Sequence, residues 1–124
     1  MTNKINTYYK LQDELDDFAY DLFKYIKSNY LDLLEFGTYS AYEKFKIDDN
    51  TFYIKYYDRG YDIYECNFFA IPINKIGNAK QYIDDYAEEK FQYKLKKQKE
   101  EEEQAKQARY EQFQKLRQEF EIQE

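Results

Sequence analysis

The run Tyr39-Ser40-Ala41-Tyr42-Glu43-Lys44-Phe45-Lys46-Ile47, then Asp48-Asp49-Asn50, then Thr51-Phe52-Tyr53-Ile54-Lys55-Tyr56-Tyr57, decides how the chain reads. Apolar and polar residues alternate with a period of two, the spacing of a half-buried strand. Ala41, Glu43, Phe45 and Ile47 fall on one face of the first run, and Tyr42, Lys44 and Lys46 on the other. In the second run Phe52, Ile54 and Tyr56 alternate with Tyr53, Lys55 and Tyr57. Asp48-Asp49-Asn50 is a turn cluster between them. Asp58-Arg59-Gly60 is a second turn, with a glycine able to take positive φ. A third run, Tyr61 to Ile71, is aromatic and β-branched in character and ends at Pro72. Proline cannot donate a ladder hydrogen bond, so Pro72 is expected at the strand end or on an edge. Three strands joined by short turns predict an antiparallel meander. Phe45, Ile47, Phe52 and Ile54 are expected to face the core, and Tyr53, Tyr57, Lys44, Lys46 and Lys55 to face away from it.

Upstream, the period changes to that of a helix. Leu11, Leu15, Phe18, Leu22, Tyr25 or Ile26, Asn29 and Leu33 recur at intervals of three and four and line one stripe. Asp13, Asp17 and Asp21 stand four apart and form an acidic strip beside it. Thr2 or Asn6 is the candidate cap and Gly37 the candidate stop. The helix is expected from about residue 5 to about residue 34, with a break near Ser28-Asn29.

Downstream, Asn78 is a candidate N-cap, and no Gly or Pro follows it. A straight helix from there to the end would span roughly 70 Å. Ala79, Ile83, Tyr86, Ala87 and Phe91 form a stripe able to close over the sheet. Lys94 to Gln104 is almost wholly charged, with Lys96-Glu100, Lys97-Glu101 and Lys99-Glu103 spaced as i, i+4 pairs. Tyr110, Phe113, Leu116 and Phe120 then return to helical apolar spacing. The expected fold class is α+β: an N-terminal helix, a three-stranded antiparallel β-meander, and a long C-terminal helix extending beyond the domain. A small domain is expected over residues 1–93 and a charged helical extension over 94–124.

Composition bounds the chemistry. The chain has 124 residues, no His or Trp, one Cys, one Pro and three Gly, and a formal charge of −6. Without His, neither a Ser-His-Asp nor a Cys-His nucleophile system can be assembled. One Cys makes neither an internal disulfide nor a multi-Cys metal site. There is no Gly-rich phosphate loop and no dinucleotide fingerprint. Leu, Ile and Phe supply 28 residues and Val none, while Tyr supplies 16. The core is therefore expected to use tyrosine rings, with their hydroxyls at its edge. No apolar run approaches the ~20 residues of a membrane span, and no secretory leader follows Met1, so a cytoplasmic protein is expected. No segment is strongly basic, which disfavours duplex DNA.

Smaller clusters read as structural. Asp48, Asp49 and Asn50 lack the spacing of a calcium loop. Asp84-Asp85 and Glu88-Glu89 place carboxylates four apart near a helix start, where the macrodipole accounts for them. Cys66 has no base to activate it and reads as a structural thiol. No catalytic residue, metal site or cofactor is expected. Tyr53, Lys55, Tyr57, Lys44 and Lys46 interleave rings with cations, a pattern that stacks bases along a single strand, and equally one of ordinary cross-strand pairing.

Tyr110, Phe113, Leu116 and Phe120 lie beyond about three turns of hydrophilic helix. Burying each large side chain is worth roughly 1.5–3 kcal/mol. Three outcomes satisfy them: pairing with a second copy, docking on a partner, or folding back on their own domain. As a coiled coil the stripe is only about two heptads long.

Tyr56-Tyr57-Asp58-Arg59-Gly60-Tyr61-Asp62-Ile63-Tyr64-Glu65, running into Phe68-Phe69-Ala70-Ile71-Pro72-Ile73, resembles small acidic early proteins encoded by bacteriophages. The short, Tyr-, Asn-, Lys- and Ile-rich make-up with a charged helical tail is similar to theirs. The resemblance implies a protein that binds and inhibits a host or defence protein, CRISPR effectors and toxins included, in the cytoplasm of the host cell. It carries over no catalytic residue, and −6 is weaker than DNA mimicry needs. The expectation is a non-enzymatic protein-binding module using Tyr110, Phe113, Leu116 and Phe120, or Asp13, Asp17 and Asp21. The alternatives are a coiled-coil homodimer through the C-terminal helix and single-strand nucleic-acid binding through the Tyr/Lys sheet face.

Overall fold

The computed structural model describes residues 2–60 and 62–123. Helix α1 (Thr2–Asn29) leads through two short 3-10 turns, Leu31–Leu33 and Gly37–Tyr39, to the strands β1 (Ser40–Asp48), β2 (Thr51–Asp58) and β3 (Cys66–Pro72). A 3-10 segment, Ile73–Asn78, then runs directly into α2 (Ala79–Gln123). The sheet is antiparallel with order β1-β2-β3. The architecture is the expected α+β arrangement of helix, meander and long helix.

The β1–β2 hairpin is closed by two residues. Asp49 and Asn50 take φ of 49° and 61°, and Asp48 pairs with Thr51. Two consecutive positive φ values define a type I′ turn, whose twist matches that of the strands. Asp and Asn tolerate this conformation better than other non-glycine residues.

One face of the sheet is the core face. Phe52, Ile54 and Tyr56 of β2 and Phe69 and Ile71 of β3 are buried there with Ala19, Leu22, Phe23 and Ile26 of α1 and Ala79 and Ile83 of α2. Leu15, Phe18 and Tyr25 pack at its margin. Each large apolar side chain so buried contributes roughly 1.5–3 kcal/mol. Tyrosine hydroxyls are satisfied at the rim. Tyr56 accepts the Glu35 backbone N–H at 3.1 Å, and Tyr42 donates to Asp16 Oδ1 at 2.6 Å.

The structure departs from the sequence expectation in several places. A bulge lies between Tyr42 and Lys44, so Tyr42 pairs with Tyr56 and Phe45 with Ile54. The extra residue shifts the alternation by one. Tyr42 thus turns inward, its ring centroid 6.1 Å from that of Phe23, instead of sharing a face with Lys44. Ile47, expected inside, is 52% exposed near the end of its strand. β3 begins at Cys66; Asp58 N–H bonds Glu65 O at the end of the ladder, the run 62–65 expected in the strand lies outside it, and Tyr61 lies outside the described residues. Gly60 does not take positive φ; its lack of a side chain instead admits the Tyr39 ring, whose carbons would lie 2.9 Å from a Cβ. Helix α1 starts at Thr2 and stops at Asn29, where Tyr30 turns to φ −140°. Gly37, at φ 55°, opens a 3-10 turn and caps nothing.

Backbone contacts divide the chain into two compact units, Met1–Ala87 and Glu88–Glu124. Within the first, Ile83 of α2 is fully buried and Tyr86 meets Phe69 edge-on at 5.5 Å. Phe91, expected to help cover the sheet, belongs to the second unit and is exposed.

Candidate functional site

The second unit is helical throughout its described length. On it Tyr110, Phe113, Leu116 and Phe120 are 63%, 61%, 55% and 73% exposed. Spacings of three, three and four place them along one stripe. Polar neighbours fix its flank: Gln114 Nε2 donates to the Tyr110 hydroxyl at 2.9 Å, and Arg117 Nε lies 3.5 Å from Glu121 Oε1. The expected Lys96-Glu100, Lys97-Glu101 and Lys99-Glu103 pairs do not close; all six residues are exposed. Such a stripe offers rings and a branched aliphatic to an apolar surface. It offers no chemistry for bond making.

Asp13, Asp17 and Asp21 are all exposed on α1. Asp21 Oδ1 stands 3.4 Å from Lys24 Nζ, so part of the strip's charge is balanced locally. Asp16, on the same helix, anchors Tyr42. Burial, reinforced by that carboxylate, pushes the Tyr42 hydroxyl well above its ordinary pKa.

The open face of the sheet gathers Lys44, Lys46, Tyr53, Lys55 and Tyr57, as the alternation requires, because Lys44 pairs with Lys55 and Lys46 with Tyr53. Around Lys55 the structure adds residues that the sequence reading did not include. Lys55 Nζ sits 2.9 Å from Glu43 Oε2, and the Tyr64 hydroxyl donates to both Glu43 oxygens at 2.8 Å. The Lys55 ammonium also lies 5.8 Å from the Tyr64 ring centre and 6.0 Å from that of Phe68. Tyr57 stacks on Tyr64, and Tyr53 meets Phe68 edge-on. The hydrogen bond from Lys55 holds the Glu43 carboxyl below its usual range, and Glu43 holds Lys55 above its own. The bulge projects Glu43 toward Lys55, and no spacing rule in the sequence marks it. The arrangement weighs against phosphate tracking on this face. The central lysine is already paired, and Lys46 Nζ is 3.7 Å from Asp48 Oδ2.

A second cluster missed by the sequence reading ties the helices of the first unit together. Tyr25 and Tyr30 both donate to Asp84 Oδ1, at 2.5 and 2.6 Å. These two bonds hold the Asp84 carboxyl below its usual range; the carboxylate in turn pushes the Tyr30 hydroxyl up to about 12. Asp84 is thus a clasp between α1 and the start of α2. Its partners are more than fifty residues away in sequence, so no local pattern reveals them.

Asp49 and Asn50 make the hairpin turn, and no cluster of three or more metal-ligating side chains occurs among the described residues. Cys66 lies in β3, the strand expected for it, and is exposed there at its first residue. Among the described residues, no helix is long and apolar enough to cross a membrane. Comparison of the chain with protein families, curated proteins and solved structures gave no match.

Proposed function

We propose that the chain is a non-enzymatic protein-binding module. Its C-terminal stripe of Tyr110, Phe113, Leu116 and Phe120 docks into an apolar groove of a partner, in the helix-in-groove mode. The observation that carries this reading is the exposure of all four residues, each by more than half, on one side of a helix. Aromatic anchors set at intervals of three and four are what such a groove accepts. Asp13, Asp17 and Asp21 add long-range attraction to a basic rim, speeding encounter more than raising affinity. The sequence resemblance supports a partner among host or defence proteins, bound in the cytoplasm of an infected cell as an anti-CRISPR-like inhibitor would bind.

The test pairs two measurements. Light scattering at two concentrations compares the full chain with one cut after Gln104. The same association state in both chains removes the coiled-coil homodimer and leaves docking on a foreign protein. A dimer of the full chain alone replaces docking with helix pairing. Affinity capture from host lysate then compares the wild type with Phe113→Asp. A partner retained by the first and lost by the second is the expected result. Equal recovery of one partner by both overturns the assignment of the stripe. Retention on a single-strand DNA column, lost in Tyr53→Ala/Lys55→Ala, would move the function to the sheet face.

A further inference from the structure

β1 and β3 are the edge strands of the sheet, and they are built differently. β1 carries Glu43, Lys44, Lys46 and Asp48 and is broken by the bulge. Charges and bulges are the usual means by which an edge strand is kept from pairing. β3 reads Cys66-Asn67-Phe68-Phe69-Ala70-Ile71-Pro72 and contains no charged residue.

The register fixes which β3 groups face outward. Asp58 N–H bonds Glu65 O at one end of the ladder, and Ile73 N–H bonds Asn50 O at the other, both at 2.9 Å. Between them the register is unbroken, from Tyr57 opposite Cys66 to Thr51 opposite Pro72. Hydrogen-bonded pairs alternate along an antiparallel ladder. Residues 67, 69 and 71 therefore bond to β2, and the amides and carbonyls of Cys66, Phe68 and Ala70 point away from it. One of these groups is occupied: Phe68 N–H donates to its neighbour Asn67 Oδ1 at 2.8 Å. Pro72 also falls in the outward set, where its missing N–H costs no internal bond.

We infer that β3 pairs with β3 of a second copy about a two-fold axis through Phe68, joining two three-stranded sheets into one of six strands. Cys66 then stands opposite Ala70 of the second copy, and Phe68 opposite its own equivalent. The Cys66 and Ala70 amides meet outward carbonyls, the Phe68 N–H exchanges Asn67 Oδ1 for the carbonyl of the facing Phe68, and Pro72 stays beyond the pairing. Shifting the axis by one residue would set the proline ring against the facing strand. The side chains suit a self-match. On the open face the half-exposed Phe68 is flanked by the small Cys66 and Ala70, so the two phenyl rings meet over small neighbours. With no charge on either strand, two identical edges approach without repulsion.

The register is testable with one added thiol. Opposed residues of a hydrogen-bonded pair have Cα atoms about 5.5 Å apart, within the range a disulfide spans. Residues 66 and 70 of one strand are about 13 Å apart and cannot bridge within a chain. Full-length Ala70→Cys, oxidised with diamide, is expected to give a covalent dimer. Neither the wild type nor Cys66→Ser/Ala70→Cys should do so, because like positions sit about 13 Å apart across the axis. Absence of the dimer, or equal yields from the single-thiol chains, overturns the inference. Adding Phe68→Lys to the Ala70→Cys chain should abolish cross-linking; undiminished yield would also overturn it. On the chain without added thiol, sedimentation velocity should show a concentration-dependent dimer that Phe68→Lys removes and Phe113→Asp leaves. Persistence in Phe68→Lys would again sink the proposal. Loss in Phe113→Asp alone would assign the dimer to the C-terminal stripe.

Discussion

The two ends of α2 carry the same signal and meet opposite fates. Ala79, Ile83 and Tyr86 at its start, and Tyr110, Phe113, Leu116 and Phe120 near its end, all follow the three-to-four spacing of an amphipathic helix. Ile83 is 0% exposed, and Phe113 is 61% exposed. Periodicity specifies which residues share a side of a helix. Burial needs a surface opposite them, and within the first unit the sheet supplies one to Ala79 and Ile83. The same helix is therefore a core element at one end and carries an exposed apolar stripe at the other.

The contrast is sharpest in stability. Ile83→Ala removes side-chain carbons from the centre of the core and is expected to cost about 2–5 kcal/mol, read by denaturant unfolding. An unchanged midpoint would deny that the start of α2 belongs to the core.

The Asp84 clasp should give the next largest effect, through pH. Asp84 is held below its unfolded value of 3.8, so its contribution is present above that pH and lost as pH falls through the folded value. Tyr30 is raised from 10.0 to about 12. Its contribution is complete below pH 10 and lost as pH rises through 12. Asp84→Ala should move the Tyr30 titration down toward its ordinary range, measured by tyrosinate absorbance, with burial and Tyr25 still holding it somewhat high, and should flatten the stability profile in both windows. A Tyr30 still titrating near 12 in that variant would show that another group controls it.

Glu43→Gln is expected to do less. It leaves the sheet intact but frees Lys55, whose pKa should fall and whose rate of acetylation at neutral pH should rise, read by peptide mass mapping. The smallest effect belongs to the far end of α2. Phe113→Asp should change unfolding free energy by no more than about 0.5 kcal/mol, as at other exposed sites. A loss comparable to that of Ile83→Ala would erase the distinction between the two ends.

Much of the framework is legible because it is local. The change of period at Tyr39, the Asp49-Asn50 turn, the end of β3 at Pro72 and the Gly- and Pro-free helix after Asn78 follow from backbone preferences of adjacent residues. The alternation also places Tyr53, Lys55 and Tyr57 together on one face. Features that depend on insertion or distance are not legible. The bulge turns Tyr42 inward, and a single extra residue leaves no compositional mark. Glu43 and Tyr64 are brought to Lys55 by that bulge and by the loop before β3. The exposure of β1 and β3 as edges follows from strand order, which no residue encodes by itself.

Sequence alone determined the order of elements, the apolar stripes of both helices and the exclusion of His-dependent chemistry, since these need only residue identity and spacing. Tertiary structure decided that the start of α2 is covered, that Asp84 joins the helices, and that β3 turns the amides of Cys66 and Ala70 outward on an uncharged edge, with that of Phe68 held by Asn67. Burial, pairing and free valence are relations between segments far apart in the chain, and they exist only once the segments meet.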